Sequence, residues 1–319
     1  MRLGRELLYL CNADIESLAI RPREVARAVE AMFRAKAEGR ATMKPKTGLH
    51  ATGGTAFLAA AGVLDDPPCA GVKWVGVAEN DGTDLPHIAG TILLSDAATG
   101  MPLAVLDAAW ITGVRTAAIT AVCAKHMARP ESARIAFVAC GLQARTHLAA
   151  LRDIFPLTRV RAASRRLATA ERFADHARSL GLEAEAFADP AAAIRDADIV
   201  VTTTPVVPRT APFLDANTLA PGTFMASVDL GISWRPRSLE ALDRIVTDDT
   251  AQAGSERIDN PRGYAGEIAD LVTGKLQGRR TPEERTALIF AGLGLADVAV
   301  AALVQTRARQ SQTGRVLPL

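Results

Sequence analysis

A turn of small residues near the middle of the chain has the composition of a phosphate-binding loop. The apolar run 134–138 is followed by Ala139, Cys140 and Gly141, and a helix-like segment begins at Leu142. A strand that enters a helix through such a turn presents unpaired backbone N–H groups and the positive end of the helix dipole to an anion. The sequence therefore predicts that this turn binds the pyrophosphate of a dinucleotide.

The spacing matches only part of the G-x-G-x-x-G pattern of dinucleotide-binding folds. Ala139, Gly141 and Ala144 occupy the three glycine positions. The second position lets the backbone approach the pyrophosphate, and alanine is an accepted variant at the third. Ala139 departs from the pattern, and an ordinary strand-to-helix turn would look similar. The cofactor-binding residues predicted in this turn are Gly141, Leu142, Gln143 and Ala144.

The residues after the next strand bear on which dinucleotide would bind. At that position an acid accepts a hydrogen bond from the ribose 2′-hydroxyl of NAD, whereas arginine suits the 2′-phosphate of NADP. The chain has Ser164, Arg165 and Arg166 there, without an acid. This run favours NADP and leaves NAD open, and the alternative is that both arginines are only surface charges. Thr204, which ends a later apolar run at 198–204, completes the predicted cofactor site.

Strand-like and helix-like segments alternate around these residues. Apolar runs at 160–163, 184–187, 223–228 and 244–247 are separated by turn signals or by predicted helices, which include 167–180 and 190–197. Such alternation predicts a parallel sheet covered by helices on both faces. The predicted fold class is α/β, with a doubly wound, Rossmann-type dinucleotide-binding domain.

The residues before this region have a different pattern. Residues 22–38 are predicted to form an amphipathic helix, and strands punctuated by glycine and proline are predicted at 71–77, 89–94 and 102–106. Residues 96–100 read as the connection of a β-hairpin. The sequence therefore predicts a second, α+β domain before the dinucleotide-binding domain.

Composition excludes several classes of protein. The 319 residues are 49% hydrophobic, which is enough for a large core and two domains. The 37 basic and 35 acidic residues are interspersed, with a net charge of +2, so a nucleic-acid-binding protein is not expected. The four cysteines are scattered without zinc-ligand spacing, and no metal site is predicted. Without a signal peptide or membrane-spanning run, the expected location is the cytoplasm.

Five short segments together give the chain a family resemblance. They are TGVRTAA at 112–118, ARP at 128–130, GLQA at 141–144, GVK at 71–73 and LSDAATG at 94–100. In this combination the chain resembles the ornithine cyclodeaminase and mu-crystallin family from Ala41 to Ala302. The resemblance implies a homodimer whose N-terminal substrate and dimerisation domain is completed by a C-terminal helix. We therefore expect residues 1–117 with 293–319 to form that domain, and 118–292 to form the dinucleotide-binding domain.

The resemblance also implies roles for four side chains. Arg115 corresponds to the arginine that holds the substrate carboxylate, and Lys46 stands where many relatives have a second carboxylate-binding arginine. Lys73 corresponds to the lysine beside the reacting carbon, where it can donate a proton, and Asp229 to the catalytic aspartate. These side chains are expected to edge the pocket that faces the nicotinamide. From the residues alone, Lys73 could equally face solvent, Arg115 could be a surface charge at a helix start, and Asp229 could stabilise a turn.

Two features shape the predicted function. Residues 230–236 differ from the stretch with which cyclodeaminases support the ornithine side chain, and Lys44 and Lys46 add positive charge beyond what one carboxylate requires. We predict an NAD(P)H-dependent reductase of a small α-imino acid, and the cationic surplus indicates a dicarboxylic one such as iminosuccinate. The alternatives are an ornithine or lysine cyclodeaminase that uses NAD catalytically, and a non-catalytic, crystallin-like protein that binds the cofactor.

Overall fold

The chain is divided into two compact units. The structure is a computed structural model that describes residues 2–80, 82–205, 211–256 and 258–319. Unit 1 comprises Met1–Arg115 and Leu293–Leu319, and unit 2 comprises Thr116–Gly292. The boundary lies inside a helix, two residues before the position expected from the sequence.

Unit 1 begins with one strand, two helices and then the further strands of a mixed sheet. In chain order these elements are β1 (Glu6–Leu10), α1 (Asn12–Ser17), α2 (Pro22–Ala37), β2 (Ala41–Met43), β3 (Thr47–His50), β4 (Ala56–Asp65), β5 (Pro68–Val77), β6 (Ile88–Asp96) and β7 (Pro102–Asp107). The chain then enters α3 (Ala109–Met127), which contains the boundary between the units.

Unit 2 alternates strands with helices, as predicted. Its further elements are β8 (Arg134–Val138), α4 (Leu142–Arg152), β9 (Arg159–Ala163), α5 (Leu167–Ser179), β10 (Glu183–Phe187), α6 (Pro190–Ile194), β11 (Ile199–Thr202), β12 (Phe224–Ser227), β13 (Arg244–Thr247), α7 (Thr250–Ser255), β14 (Gly266–Glu267), α8 (Ile268–Thr273) and β15 (Thr286–Ile289). Short 3₁₀ helices lie at Ala216–Thr218 and Pro236–Ala241. The chain returns to unit 1 as α9 (Gly294–Ser311) and β16 (Arg315–Pro318).

The sheet of unit 2 confirms the predicted fold class. Its strand order is β10-β9-β8-β11-β12-β15-β13-β14, and neighbouring strands are parallel. The order β10-β9-β8-β11-β12 is that of a Rossmann fold, in which the strand order reverses beside the first strand. The central strands β8, β11 and β12 are almost entirely buried, as expected for a sheet covered on both faces. Ligands of such sheets bind beyond the carboxyl ends of the strands at the reversal, which here follows β8.

The sheet of unit 1 is mixed and has one face covered by helix. Strands β4 to β7 are antiparallel neighbours, β1 pairs parallel with β7, and β16 pairs antiparallel with β1. Helix α9 packs on β4, β5 and β6 and beside α2. We call the face against α9 the inner face and the opposite one the outer face. The predicted amphipathic helix is confirmed within one residue, since α2 buries Val25, Val29 and Phe33 on one side.

Three predicted boundaries are wrong. The helix that carries Arg115 begins at Ala109, so this arginine lies inside the helix and not at its start. The strand predicted at 198–204 spans only Ile199–Thr202, and the hydroxyl of Thr203 donates to the carbonyl of Ala139. Thr204 therefore lies in the following loop. The helix predicted at 190–197 ends at residue 194.

Candidate active site

Lys73 lies on β5 of unit 1 with its side chain on the inner face. It is 7% exposed, whereas its neighbour Trp74 on the outer face is 42% exposed. Its Nζ donates a hydrogen bond of 2.9 Å to Oδ1 of Asp297 on α9. The interpretation of Lys73 as a solvent-facing strand residue is therefore wrong, because strand alternation turns it toward a buried anion.

Arg115 meets the same anion. Its Nε donates to Oδ1 of Asp297 over 2.9 Å, and the residue is only 8% exposed. The interpretation of Arg115 as a surface charge is therefore wrong as well. The structure brings Lys73 and Arg115 together on one carboxylate oxygen, and half-buried Lys46 is close enough to act on Lys73 electrostatically.

Asp297 is not among the site residues predicted from the sequence. This aspartate is 1% exposed and lies in the first turn of α9. Its signal in the sequence is an acid within the otherwise apolar run 294–304, since a buried charge requires a partner. The partners lie far away along the chain, which is why the pattern alone did not reveal them.

The pKa values of Lys73 and Asp297 are both lowered in this cluster. Burial, together with the charge of Arg115, lowers the pKa of Lys73 to about 8, although Asp297 acts in the opposite direction. Burial by itself would raise the pKa of Asp297, but the charges of Arg115 and Lys73 outweigh it and hold this pKa below its usual value. Asp297 is therefore anionic at neutral pH. Lys73 is an ammonium that can lose its proton close to physiological pH, as proton transfer requires.

In unit 2, the turn after β8 has the backbone shape of a phosphate-binding loop. Ala139 adopts a left-handed conformation with φ of +68°, the conformation for which the pattern prefers glycine. Its N–H donates to the carbonyl of Ala163, and its carbonyl accepts a 2.8 Å hydrogen bond from Thr203 Oγ1. Ala139 therefore departs from the glycine pattern in residue type only. The turn keeps its shape, and the left-handed alanine costs about 1 kcal/mol of backbone strain.

Gly141 lies where a ligand could approach the backbone. A Cβ added there would meet no protein atom within 4 Å, and its φ of −87° is open to any residue. Packing and conformation therefore do not require glycine, and close approach of a ligand is a physical reason for it. Leu142 is exposed, Gln143 half-buried and Ala144 buried at the start of α4. The residues present fit a pyrophosphate at this helix N-terminus.

A buried histidine holds α4 in place behind this turn. His147 Nδ1 donates to the carbonyl of Gln143 over 2.7 Å, and its Nε2 accepts from Thr120 Oγ1 over 3.0 Å. Burial lowers the pKa of His147 to about 4, so the ring remains neutral and both hydrogen bonds persist at neutral pH.

The residues predicted to select the cofactor lie after β9, the strand beside β8. Ser164 is half-buried, and Arg165 and Arg166 are exposed at the bend before α5. They lie at the carboxyl end of the strand, where this fold class places the adenosine ribose. Their contact with a 2′-phosphate stays a prediction.

Asp229 organises the ends of two strands in unit 2. It is 1% exposed; its Oδ1 accepts from Thr202 Oγ1 at 2.9 Å and Ser227 Oγ at 2.5 Å. Its Oδ2 accepts from Ser233 Oγ at 2.5 Å and from the N–H of Thr204 at 3.3 Å. The carboxylate thus ties β11 and β12 together. Its predicted catalytic role, and its sharing of a pocket with residues of unit 1, stay predictions.

Among the residues that the structure describes, no helix is both long and apolar enough to cross a membrane. Among the same residues, no group of three or more histidine, cysteine, aspartate or glutamate side chains is arranged to hold a metal ion.

Known proteins resemble this chain along nearly its whole length. Alanine dehydrogenase of Archaeoglobus fulgidus is 33% identical over 322 residues, covering 97% of each chain. The structure of an archaeal alanine dehydrogenase dimer with bound NAD is 31% identical, with a TM-score of 0.88 over 98% of this chain and 99% of the other. Delta(1)-pyrroline-2-carboxylate reductase of Thermococcus litoralis, in complex with NADH and L-proline, is 26% identical, with a TM-score of 0.87 over 97% and 99%.

These relatives are oxidoreductases of amino and imino acids, the class that the sequence predicts. The model of the ornithine cyclodeaminase/mu-crystallin family matches residues 6–312, in agreement with the resemblance found in the short segments. Because this match spans nearly the entire chain, the protein belongs to the ornithine cyclodeaminase/mu-crystallin family.

Proposed function

We propose that the protein is an NAD(P)H-dependent reductase of a small α-imino acid. The observation that carries this proposal is the buried cluster of Lys73, Arg115 and Asp297. It places a guanidinium suited to a carboxylate beside an ammonium with a pKa of about 8. A pyrroline-2-carboxylate reductase and an alanine dehydrogenase among the relatives support a reaction at the C–N bond of a small carboxylic acid.

Different residues would bind the cofactor and the substrate. When bound, NADH or NADPH supplies a hydride; the residues that would hold it are those of the turn at Gly141. In this proposal Arg115 binds the substrate carboxylate and fixes the orientation of the C=N bond. The imine carbon gains the hydride and the nitrogen gains the proton of Lys73, so the double bond becomes a CH–NH single bond. Lys73 then recovers a proton from solvent.

The charges around Lys73 favour a substrate with two carboxylates. Lys73, Arg115 and Lys46 are cationic and Asp297 is anionic, so these four groups carry a net charge of +2. One substrate carboxylate leaves half of that charge uncompensated, whereas two neutralise it. We therefore propose a dicarboxylic imino acid such as iminosuccinate as the preferred substrate.

A substrate panel tests the proposal. Oxidation of NADH and of NADPH is followed by absorbance with oxaloacetate plus ammonia, pyruvate plus ammonia, and pyrroline-2-carboxylate. We expect reduced cofactor to be consumed, with the highest kcat/KM for the dicarboxylic imine. Ammonia release from ornithine or lysine without net change in cofactor absorbance would instead identify a cyclodeaminase. Cofactor binding without turnover on any of these compounds would identify a non-catalytic protein.

We propose that Arg165 and Arg166 bind the 2′-phosphate of NADPH. Replacing both with serine should lower kcat/KM for NADPH about tenfold or more, because each exposed arginine–phosphate contact contributes about 1 kcal/mol. The value for NADH should hardly change. Arg172→Ser, at an exposed arginine further along α5, is the matched control. Equal losses with both cofactors would contradict a contact with the 2′-phosphate.

We propose that the protein is a homodimer that pairs through the outer face of the unit 1 sheet. Within the sheet of one chain, the strand registers place Tyr9 beside Val105, Val105 beside Leu93, and Leu93 beside Val72, so these side chains form a row across the strands. Beside this apolar row, Trp74 is 42% exposed and stacks on Phe57, with ring centroids 5.5 Å apart. Exposed apolar faces of this kind mark interaction surfaces. The archaeal alanine dehydrogenase structure, also a dimer, supports a second copy as the partner.

A charge on this face should break the dimer. Light scattering of the unmodified protein should give twice the chain mass of 33.7 kDa, and Trp74→Glu should give the monomer mass. The reason is that the glutamate would have to be buried without a partner. Leu85→Glu, at an exposed apolar residue outside the strands, should leave the dimer intact. A dimer that survives Trp74→Glu would place the interface elsewhere.

A further inference from the structure

The first turn of α9 rests directly on the backbone of β4. A Cβ added to Gly294 would lie 2.8 Å from the carbonyl carbon of Ala60, and one added to Gly62 would lie 2.9 Å from Leu295 Cδ2. The contact at Gly294 is with backbone atoms, so this position requires glycine, whereas a Cβ at position 62 would displace the end of the Leu295 side chain and lie 3.3 Å from its Cα. The depth of α9 is therefore fixed, and with it the position of Asp297 above the neighbouring strand β5.

Asp297 uses a single oxygen to bind both cations. Nζ of Lys73 and Nε of Arg115 each lie 2.9 Å from its Oδ1. Because Nε is directed at Asp297, this contact fixes the orientation of the planar guanidinium, the group that suits recognition of a substrate carboxylate. The same contact holds the ammonium of Lys73 at a fixed distance from that guanidinium.

The charged groups around Lys73 in unit 1 come from three elements. Arg115 on α3 and Lys46 in the segment between β2 and β3 lower the pKa of Lys73, and Asp297 on α9 raises it. Burial also lowers it. Without the carboxylate, the buried ammonium would face two cations, and the neutral amine would be favoured at physiological pH. A neutral lysine has no proton to give to an imine.

We propose that Asp297 is a positioning residue of the reaction, which directs the fork of Arg115 and keeps Lys73 protonated until the imine is reduced. This inference rests on the proposed function. Asp297 does not touch the substrate in this scheme; it acts through its two partners. Its position in the first turn of α9 further favours the anionic form, since the helix dipole is positive there.

Asp297→Asn tests this role because the amide keeps the shape and loses the charge. In the unmodified enzyme, kcat/KM for reduction should fall as pH rises through about 8, where Lys73 loses its proton. In Asp297→Asn this fall should begin at least about one pH unit lower. We also expect kcat at pH 7.5 to fall about threefold or more, because a shift of one unit leaves only about a quarter of Lys73 protonated there, and KM for the imino acid to rise as Arg115 loses its orientation.

A second measurement reports on Lys73 without turnover. The chain has six lysines, so the ¹³Cε resonance of Lys73 can be assigned in a lysine-labelled sample as the one missing from Lys73→Ala. Its titration midpoint should fall in Asp297→Asn and stay near the original value in Asp297→Glu, which restores the charge. Should the asparagine variant fail to fold, the glutamate variant decides: a retained midpoint with a raised KM supports the inference, and a midpoint lowered by a pH unit overturns it.

Asp198 of unit 2 offers a matched control. Its carboxylate is 5% exposed and also accepts from two arginines, Arg129 and Arg134, at 2.6 and 2.9 Å. Asp198→Asn should lower stability in a similar way and leave both the pH profile and the lysine titration unchanged. An unchanged lysine titration in Asp297→Asn overturns the inference. A lysine titration that shifts while no imine is reduced upholds the electrostatic role of Asp297 and refutes the proposed function.

Discussion

Lys73→Ala is expected to lower kcat for imine reduction about a thousandfold and to leave the affinity for reduced cofactor nearly unchanged. The lysine is a buried ammonium with a pKa of about 8, and removal of a proton donor in such a position has effects of this size. Cofactor binding should persist because the predicted pyrophosphate turn belongs to unit 2. Turnover is measured by the absorbance of the reduced cofactor, and the affinity for that cofactor is measured by titration of nicotinamide fluorescence.

The cavity left by this truncation allows a stricter test. Small primary amines such as methylamine should restore part of the rate in Lys73→Ala, and the rescue should depend on the protonated form of the amine. Lys36→Ala, at a half-buried lysine on α2 of the same unit, should behave like the unmodified enzyme. A normal rate in Lys73→Ala would remove the lysine from the proposed proton transfer.

The direction of the pH dependence follows from the same group. Burial lowers the pKa of Lys73 to about 8, so the donor form prevails below that pH and is lost above it. Reduction of the imine should therefore slow as pH rises through 8. Oxidation of the amino acid should accelerate over the same range, because the neutral amine is then the proton acceptor.

Arg115→Lys is expected to raise KM for the imino acid about 30- to 100-fold, with a smaller loss in kcat. A lysine carries the charge but replaces a planar fork by a single point, which removes one charge-assisted hydrogen bond worth about 2–3 kcal/mol. The effect should be large because Arg115 is 8% exposed and little water can take its place. Steady-state kinetics at saturating cofactor measures it.

The control for this substitution is an arginine with a similar partner elsewhere. Arg129 of unit 2 donates to the buried carboxylate of Asp198, so Arg129→Lys tests the loss of an arginine–aspartate pair outside the proposed site. It should change stability and leave KM for the imino acid unchanged. If Arg115→Lys also leaves KM unchanged, Arg115 does not bind the substrate carboxylate.

The parts of the molecule that the sequence predicted are those encoded by neighbouring residues. The turn from 139 to 144 was recognisable because strand, turn and helix follow one another within a few positions. The left-handed backbone at Ala139 shows why one alanine did not mislead the prediction: a non-glycine residue can adopt that conformation at modest cost. The parallel, doubly wound sheet followed from the alternation of segments.

The electrostatic cluster could not be predicted in the same way. Lys73 and Asp297 are 224 positions apart, and Arg115 and Asp297 are 182 apart. Periodicity reports which side of a strand or helix a residue occupies, and it carries no information on which distant residue will face it. From the residues alone, Lys73 was more readily interpreted as a surface lysine. The family resemblance implied its catalytic role, and only the packing of α9 revealed its partner.

The hydrogen-bond network around Asp229 could not be predicted for a related reason. Its donors Thr202 and Ser227 lie opposite each other in the parallel register of β11 and β12. The sequence indicated both strands but not their register, which depends on how the whole sheet assembles. Three hydroxyl side chains that look like ordinary small polar residues, and the backbone N–H of Thr204, therefore converge on one carboxylate.

Unit 1 is completed by α9, which follows unit 2 in the chain. This order has a consequence for synthesis on the ribosome. Strands β1 to β7 emerge early, but α9, which covers their inner face and brings the counter-ion of Lys73 and Arg115, emerges only after all of unit 2. Domains fold during translation as their residues become available. A nascent chain can therefore complete unit 2 first, while the ammonium of Lys73 and the guanidinium of Arg115 lack their counter-ion until α9 has been synthesised.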